Sequence, residues 1–507
     1  MAVTDASLKT LERVLTREER RQKFADLGWW VSIPLTIVPA HWLYDGEQRL
    51  DARSYAQEAA TALRIVRDSG LDVAPLDKIV SEIFILGRFR RVYATNIEAG
   101  WPYLSASEVF EFRPTSDRWL AKDHAPRRAD DHFARTGWIL ISASGTVGRT
   151  VLATKRLEKF FLTHDLLRVV PGQSPPVGYL YAYLSSWIGQ ALISKDQYGS
   201  AIKHLEPHHL AGVPVPLLPG DEQQAIHDEI MRAYALRDEA NGLLDEADEM
   251  LHKELGLPRF DESFVPYLPL PLCQQTNRPE IPRPKAFTVH ASELNERLDA
   301  SYHVPVARTV IELLHKGRCA PFRLRKLTDD IRIPPRFKRI YVQKEYGVPF
   351  LRPSHLPQMR PYDLGYISRL TKVLDSLVLH KGEVLITTDG TVGRISIVTS
   401  RTAGWAGSNN IARVTCGTRN YENGFLAAFL STPYGFYQLT REIYGGVVDH
   451  LNESHLESIL VPIPPQNTQA AIGERVVRAY EMKDEATEIE EKAIHRLESA
   501  LQRRVAG

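Results

Sequence analysis

The sequence of 507 residues predicts a mixed α/β protein in which two similar units stand in tandem, each followed by a long helix. Three observations predict this class. The chain is longer than one hydrophobic core usually serves. A set of short motifs occurs twice in the same order, and each copy ends in a long charged stretch with helical periodicity. The duplication is the strongest of the three, since self-similarity at a constant interval determines the whole architecture.

The motifs recur at an almost constant interval. Gly145 and Gly390 are 245 residues apart, and Arg49 and Arg297 are 248 residues apart. Order and spacing this regular indicate a duplicated unit, the size of one domain plus a helical segment. The repeated pairs are RLDA at 49–52 and 297–300, RFRRVY at 88–93 and RFKRIY at 336–341, GTVGR at 145–149 and 390–394, and YGSAIKHL at 198–205 and YGGVVDHL at 444–451.

The repeats divide the chain into six segments. Residues 1–47 have no repeat partner and no predicted role. The remaining segments are a first α/β unit at 48–220, a first helix at 221–256, a proline-rich linker at 257–295, a second α/β unit at 296–466 and a second helix at 467–507. A linker of that composition is semi-rigid.

Each unit combines predicted strands with predicted helices. Short apolar runs bounded by turn residues predict strands in the first part of each unit. Residues 178–199 and 423–445 have helical periodicity. A proline-punctuated strand then leads into the long helix, and Asp221 and Asn467, just after the prolines, are the predicted N-caps.

The long helices carry a heptad seam, in which apolar and small residues alternate at spacings of four and three. Either each helix packs on its own unit, or the two helices pack on each other with approximate two-fold symmetry. The second arrangement is favoured because a helix of about 50 Å exceeds what one small domain covers. The predicted interface residues are Ile226, Ile230, Arg237, Leu244 and Leu251 in the first helix and Ile472, Val476, Lys483, Ile489 and Leu497 in the second.

Charge is distributed unevenly, although the formal net charge is only +1. Residues 221–254 hold eleven acidic residues against three Lys or Arg, whereas residues 321–344 hold eight Lys or Arg against two acidic residues. An acidic helix does not suit contact with phosphates. It suits solvent or a basic partner protein, and the sequence does not decide between them.

The two GTVGR motifs each lie between two predicted strands, and their glycines suit a tight turn. They are not phosphate-binding P-loops, because the Gly-Lys-Ser/Thr ending is absent. A hairpin turn that only fixes the fold and a turn that also contacts nucleic acid both fit. The candidate DNA contacts are Ser144, Thr146 and Arg149 in the first copy and Asp389, Thr391 and Arg394 in the second.

The RFRRVY and RFKRIY segments interleave cations with aromatic residues. Strand alternation would place Arg88 and Arg90 on one face and Phe89, Arg91 and Tyr93 on the other. Such a pattern is typical of a nucleic-acid-binding surface, although exposed strands also carry it without binding anything. The candidate DNA contacts here are Arg88, Arg90, Arg91, Tyr93, Arg336, Lys338, Arg339 and Tyr341.

The sequence carries no signature of an enzyme or of a membrane protein. No Walker A sequence, methyl-donor glycine fingerprint, nuclease carboxylate cluster or zinc spacing is found, and no apolar run is long enough to span a bilayer. Cys273, Cys319 and Cys416 match neither a disulfide framework nor a metal site. The chain is therefore expected to carry no catalytic site, metal or cofactor of its own, and to reside in a reducing cytoplasm.

The ordered, duplicated motifs resemble the specificity subunit of type I restriction-modification systems from about residue 48 to the C-terminus. This resemblance implies two target recognition domains, an antiparallel pair of spacer helices and a bipartite double-stranded DNA target. It also implies two methyltransferase subunits and ATP-dependent restriction subunits as partners, with S-adenosylmethionine, ATP and Mg used by those partners. The second copy departs from the pattern of the family just before its long helix. The glutamate-glutamine pair that the first copy has as Glu222-Gln223 is Thr468-Gln469 in the second. The alternative is a duplicated scaffold that binds protein rather than DNA.

Overall fold

The structure is a computed structural model that describes residues 57–94, 97–195, 197, 203–261, 264–265, 287–294, 297–416, 421–445 and 449–506. The segment 1–47, the first RLDA repeat, Cys273 and most of the proline-rich linker lie outside the described residues. Within the described part, no helix is both long and apolar enough to cross a membrane.

The first unit consists of a four-stranded sheet, a three-stranded sheet and a two-stranded pair, with helices packed around them. The strand orders are β2-β8-β5-β6, β4-β3-β7 and β1-β9. The elements are α1 Gln57–Asp68, β1 Asp72–Pro75, α2 Leu76–Ile79, β2 Val80–Phe84, β3 Gly100–Leu104, β4 Trp119–Ala121, β5 Ile139–Ser142, β6 Thr150–Leu152, β7 Phe161–Leu162, β8 Leu166–Pro171, α3 Val177–Ser185, α4 Trp187–Ser194, α5 Pro207–Ala211 and β9 Pro214–Leu217.

The second unit repeats this plan with one additional strand. Its sheets have the orders β11-β18-β15-β16, β12-β14-β13-β17 and β10-β19, and β13 pairs with β17 in parallel as β3 does with β7. The elements are α7 Pro305–Lys316, β10 Pro321–Arg323, β11 Asp330–Arg332, β12 Tyr341–Val342, β13 Gly347–Leu351, β14 Gly365–Ser368, α8 Leu374–Leu377, β15 Val384–Thr387, β16 Ile395–Ile397, β17 Ala406–Gly407, β18 Ile411–Thr415, α9 Asn423–Leu430, α10 Pro433–Arg441, α11 Glu453–Ser458 and β19 Leu460–Pro462.

The two long helices, α6 Gly220–Leu255 and α12 Gln466–Ala506, pack against each other and run antiparallel. Ion pairs along the interface show the direction, because residue numbers rise along α6 as they fall along α12. The pairs are Glu222 with Arg504, Glu229 with Arg496, Arg237 with Glu490, and Glu246 with Arg475. Of the two arrangements that the seam allowed, the helix–helix one is therefore correct.

The two units occupy opposite ends of the helix pair. The core of the first unit includes Ile226 of α6 and Leu497 of α12, whereas the core of the second includes Leu251 of α6 and Ile472 of α12. This arrangement relates the units by an approximate two-fold axis through the middle of the pair. The predicted interface residues that lie buried are Ile226, Ile230, Arg237, Leu244, Leu251, Ile472, Val476, Lys483 and Leu497.

One predicted seam residue is wrong, and the error has a physical reason. Ile489 is only half-buried, whereas its neighbour Glu490 is 1% exposed. Glu490 keeps the spacing of four and three that runs from Lys483 to Leu497. The apolar side chain of Ile489 was expected on the seam instead. A carboxylate is found there because Arg237 of α6 supplies its ion pair.

The predicted N-caps also need correction. Helix α6 begins at Gly220, with Pro219 as its N-cap and no side-chain capping hydrogen bond, so Asp221 lies in the first turn. Helix α12 begins at Gln466, which places Asn467 within the helix. Asp221 still stabilises its helix there, because a carboxylate near the N-terminus interacts favourably with the helix dipole.

Candidate nucleic-acid interface

The first GTVGR motif is a tight hairpin turn between β5 and β6. Gly145 and Gly148 have φ of +76° and +89°, a region that L-residues with a side chain rarely adopt. The Ser142 hydroxyl closes the turn, since it donates to the Thr146 carbonyl at 2.5 Å and accepts from the Arg149 N–H at 2.9 Å. Thr146, at the tip, is exposed.

The second motif repeats the turn between β15 and β16. Gly390 and Gly393 have φ of +74° and +83°. Thr387 takes the place of Ser142: its hydroxyl donates to the Thr391 carbonyl and accepts from the Arg394 N–H at 2.9 Å. Thr391 is exposed at the tip. The motif therefore has the structural role of a hairpin turn in both units, and its tip is presented to solvent.

Each turn is fixed by hydrogen bonds to two neighbouring segments. In the first unit, the Ala143 N–H donates to the Asp165 carbonyl at 3.0 Å, and the Gly145 N–H donates to the Lys203 carbonyl at 3.1 Å. In the second unit, the Thr388 N–H donates to the Asn410 carbonyl at 3.0 Å, and Gly390 donates to Asp449 at 3.1 Å. The same scaffold thus holds both tips.

The histidines of the repeated Tyr-Gly…His-Leu segments contact the residue just before each turn. His204 Nδ1 lies 3.0 Å from the Ser144 hydroxyl, and His450 Nδ1 bonds to the Asp389 carboxylate. Ser144 and Asp389, predicted as DNA contacts, are both half-buried and engaged within their own unit. These contacts give the segment a structural part in holding the turn.

The RFRRVY segment has no regular secondary structure over residues 88–92 and belongs to no sheet there, contrary to the predicted strand. Aromatic packing holds it instead: Phe89 packs edge-to-face on Phe161, and Tyr93 on Tyr103. The predicted alternation is nevertheless present, because Arg88 and Arg90 are exposed on the opposite side.

The RFKRIY segment has the same arrangement in the second unit, and only Tyr341 belongs to a strand. Phe337 packs edge-to-face on Phe350, whereas Arg336 and Lys338 are exposed. Arg339 lies over the Phe350 ring, and the half-exposed Tyr341 packs edge-to-face on the same ring. Aromatic anchors therefore present a row of cations in both units.

The cationic segment lies beside the glycine turn in each unit. Arg91 forms an ion pair with the Asp165 carboxylate at 3.3 Å, and Asp165 is the residue whose backbone holds the first turn. Arg339 donates to the Asn409 side chain at 3.2 Å, next to Asn410, whose backbone holds the second turn. An exposed row of cations next to an exposed turn tip forms a surface of the kind that contacts phosphates and groove edges.

Arg149 and Arg394 lie elsewhere than the turn tips. The Arg149 guanidinium stacks on Phe110 and Tyr362, and Arg394 lies 3.8 Å from the Glu111 carboxylate. Arg149 of the first unit therefore contacts Tyr362 of the second unit, and Arg394 of the second unit contacts Glu111 of the first. The sequence prediction missed these partners, residues 108–115 and 355–362, although EFRP at 111–114 and QMRP at 358–361 are repeated in the sequence.

Glu111 has an altered pKa that leads to a stability prediction. Burial raises the pKa of Glu111 from 4.5 to about 7, while Arg394 acts to lower it and Glu108 and Asp117 to raise it further. The unfolded chain ionises this carboxyl near pH 4.5 and the folded chain near pH 7, so stability falls as the pH rises between these values. We expect Glu111→Gln, measured against wild type, to gain up to about 3 kcal/mol between pH 4 and pH 8, at 1.36 kcal/mol per pKa unit.

Denaturant titration at the two pH values measures this gain. Glu82→Gln, at an exposed position on β2, is the matched control and should show no comparable pH dependence. Equal pH dependence in Glu111→Gln and wild type would show that Glu111 ionises normally in the folded chain.

Among the residues that the structure describes, no group of three or more His, Cys, Asp or Glu side chains could hold a metal ion. The described geometry is that of two similar α/β units joined by an antiparallel helix pair, with one cationic surface on each unit.

Comparison with known proteins agrees with this class. Residues 332–498, about a third of the chain, match the family model for the type I restriction modification DNA specificity domain. This match confirms the resemblance to type I specificity subunits. The description is of a recognition domain, in agreement with the prediction of a chain that is not itself an enzyme. No curated protein matches the chain significantly.

Solved structures show a distant similarity over most of the chain. The type I restriction-modification S subunit from M. genitalium is 13% identical, with 86% of this chain and 96% of that chain covered and a TM-score of 0.35. The HsdS subunit from Thermoanaerobacter tengcongensis is 14% identical, with 85% and 96% covered and a TM-score of 0.27.

Proposed function

We propose that this chain is the DNA-binding specificity subunit of a type I restriction-modification complex and that it recognises a bipartite target. The observation that carries the proposal is the repetition of one surface, a row of exposed cations beside a glycine turn, in both of the units that the antiparallel helix pair joins. The family match over residues 332–498 supports DNA as the molecule that the chain recognises. The two surfaces differ in sequence, so each would read a different half-site.

The two-fold relation between the units suits a DNA duplex. The strands of DNA are themselves antiparallel, so two readers of opposite polarity can each meet an equivalent groove face. The distance between the readers then sets the gap between half-sites, as dimer geometry does in other DNA-binding proteins. The domain boundaries proposed for the two readers are 48–220 and 296–466.

The helix pair would supply the contact to partner subunits. Glu239, Glu246 and Glu249 are exposed on α6. Such a face repels phosphates and suits a basic protein surface. We propose two methyltransferase subunits as partners there, with ATP-dependent restriction subunits bound in the larger complex. S-adenosylmethionine, ATP and Mg would be used by these partners, and the complex would act in the cytoplasm.

Methylome sequencing of a host that carries this chain with its cognate methyltransferase tests the proposal. The expected result is methylation at one asymmetric target made of two half-sites and a fixed gap. Mobility shifts with the purified complex should then show preference for that target over a scrambled duplex. A complex that binds its protein partners but no specific DNA would favour the alternative, a duplicated protein-binding scaffold.

Lengthening the helix pair is expected to lengthen the gap and to leave both half-sites unchanged. A seven-residue insertion beside Ala240 in α6, matched by one beside Ala486 in α12, preserves the seam and separates the units by about 10.5 Å. That distance corresponds to about three base pairs at 3.4 Å per step. The methylome should therefore show unchanged half-sites with a gap about three base pairs longer. Altered half-sites with a constant gap would contradict the proposal.

A further inference from the structure

Two loops with equivalent positions in the repeat contact each other across the two units. They are residues 108–115 and 355–362, which we call the paired loops. Glu111 and Gln358 form an antiparallel bridge. On either side of it, the Phe112 N–H donates to the Pro357 carbonyl at 2.8 Å, and the Met359 N–H donates to the Phe110 carbonyl at 2.9 Å.

The pairing is symmetric about the axis that relates the units. Glu111 and Gln358 are equivalent in the repeat, so the axis passes between them. Their neighbours extend the pairing to the helices: Arg113 binds Asp245 of α6 at 2.8 Å, and Arg360 lies 3.3 Å from Glu490 of α12. The paired loops and the midpoint of the helix pair are therefore one connected structure.

The glycine-turn arginines complete this connection from both sides. Arg149 of the first unit lies 4.3 Å from the Phe110 ring and 5.1 Å from the Tyr362 ring of the second unit, with Gln358 at 3.5 Å. Arg394 of the second unit contacts Glu111 of the first unit. Burial lowers the pKa of Arg149, as expected for a guanidinium drawn away from water.

Beside the paired loops, the two units do not pack directly against each other, because a cleft lies between them. A cleft of about 1600 Å³ separates residues 111–117 of the first unit from the glycine turn and α10 of the second. Without the loop contact, each unit would lose its tie near the axis and could tilt more freely about the helix pair. A second tie near the axis restricts that tilt.

We infer that Arg149 and Arg394 are positioning residues that hold the two recognition units at a fixed distance and orientation, and so determine how strictly the gap between half-sites is measured. The inference deepens the proposed function and rests on it. The helix pair sets the mean distance between the two units. The paired loops and the two arginines limit how far that distance varies around its mean. Neither arginine needs to contact a base or phosphate for this role.

Gap discrimination is the measurement that tests this role. The full chain, assembled with its methyltransferase subunits, is titrated with duplexes that carry both half-sites at the cognate gap or one base pair longer or shorter. Arg149→Lys combined with Arg394→Ala should reduce the preference for the cognate gap at least tenfold. Mismatches within either half-site should cost as much as in wild type.

Lysine is the informative replacement at position 149. A lysine still meets a phosphate, but its ammonium group cannot stack on the Phe110 and Tyr362 rings as a planar guanidinium can. Arg127→Lys with Arg308→Ala, at exposed positions outside the paired loops, the glycine turns and the cationic segments, is the matched control and should leave gap discrimination unchanged.

Two results overturn the inference. One is unchanged gap discrimination in the arginine variant. The other is a uniform loss of affinity at all gaps with a smaller salt dependence, which would make the arginines phosphate contacts.

A DNA-free measurement separates this inference from the proposed function. Spin labels on Lys155→Cys and Lys372→Cys, with the native cysteines replaced, report the distance between the units. The arginine variant should broaden the distance distribution. If wild type binds no specific DNA, the proposed function fails, and this distribution alone then decides whether the arginines position the units.

Discussion

Glu490→Leu is expected to destabilise the protein by about 3–5 kcal/mol, because it leaves Arg237 charged and unpaired at the centre of the helix pair. Arg237 is 2% exposed, and Glu490 pairs with it across the two helices. Glu490 also accepts from the Tyr181 hydroxyl at 2.6 Å. Burial by itself would raise the pKa of Glu490, but Arg237 and Arg360 lower it to about 2, so the carboxylate is charged at neutral pH.

Denaturant unfolding of Glu490→Leu beside two other variants measures this effect. Glu488→Leu, on the same helix at an exposed position, should cost within about 0.5 kcal/mol of wild type. Arg237→Met combined with Glu490→Leu should recover part of the lost stability, because the unpaired charge of Arg237 is removed while the Tyr181 hydroxyl still lacks its acceptor. Similar unfolding energies for Glu490→Leu and Glu488→Leu would show that the ion pair does not hold the helices.

Neutralising the cations of the second unit is expected to weaken DNA binding more than any other surface change. Arg336→Gln, Lys338→Gln and Arg339→Gln together should lower affinity at least tenfold at low salt. Each phosphate contact contributes about 0.9 to the slope of log K against log salt, so the slope should fall by about three. Salt-dependent titration of the assembled complex with target and scrambled duplexes measures both quantities.

The control for this set changes equal charge elsewhere. Lys253→Gln, Lys492→Gln and Arg503→Gln remove three exposed cations from the helix pair. If they reduce the salt slope as much as the 336–339 set does, binding follows net charge rather than this surface. An unchanged slope in the 336–339 set would remove the segment from the interface.

The architecture was largely predictable because its signals are local or periodic. The repeat interval requires two units with one fold, and both units do show the same sheet plan. The heptad spacing predicted helices at 221–256 and 467–507, within one residue of those observed. The aromatic and cationic alternation correctly predicted that Arg88 and Arg90 are exposed, although the segment belongs to no sheet there.

The candidate site was less predictable, because its contacts join residues far apart in the chain. Arg149 and Arg394 were expected at an exposed turn with Thr146 and Thr391. Only the threonines lie at the tips, since each arginine extends to the other unit. The seam error at Ile489 has the same origin, because a charged residue is stable at a core position only when a partner lies opposite.

The amino-acid sequence by itself determined the duplication, the two long helices and the two cationic segments, because each depends on the order and period of neighbouring residues. The tertiary structure alone decided which side chains meet across the axis. The chain must fold back through more than 200 residues before Glu490 reaches Arg237, or Arg149 reaches Tyr362. Pairing over that separation depends on the direction and register of packed helices, and no local pattern specifies these.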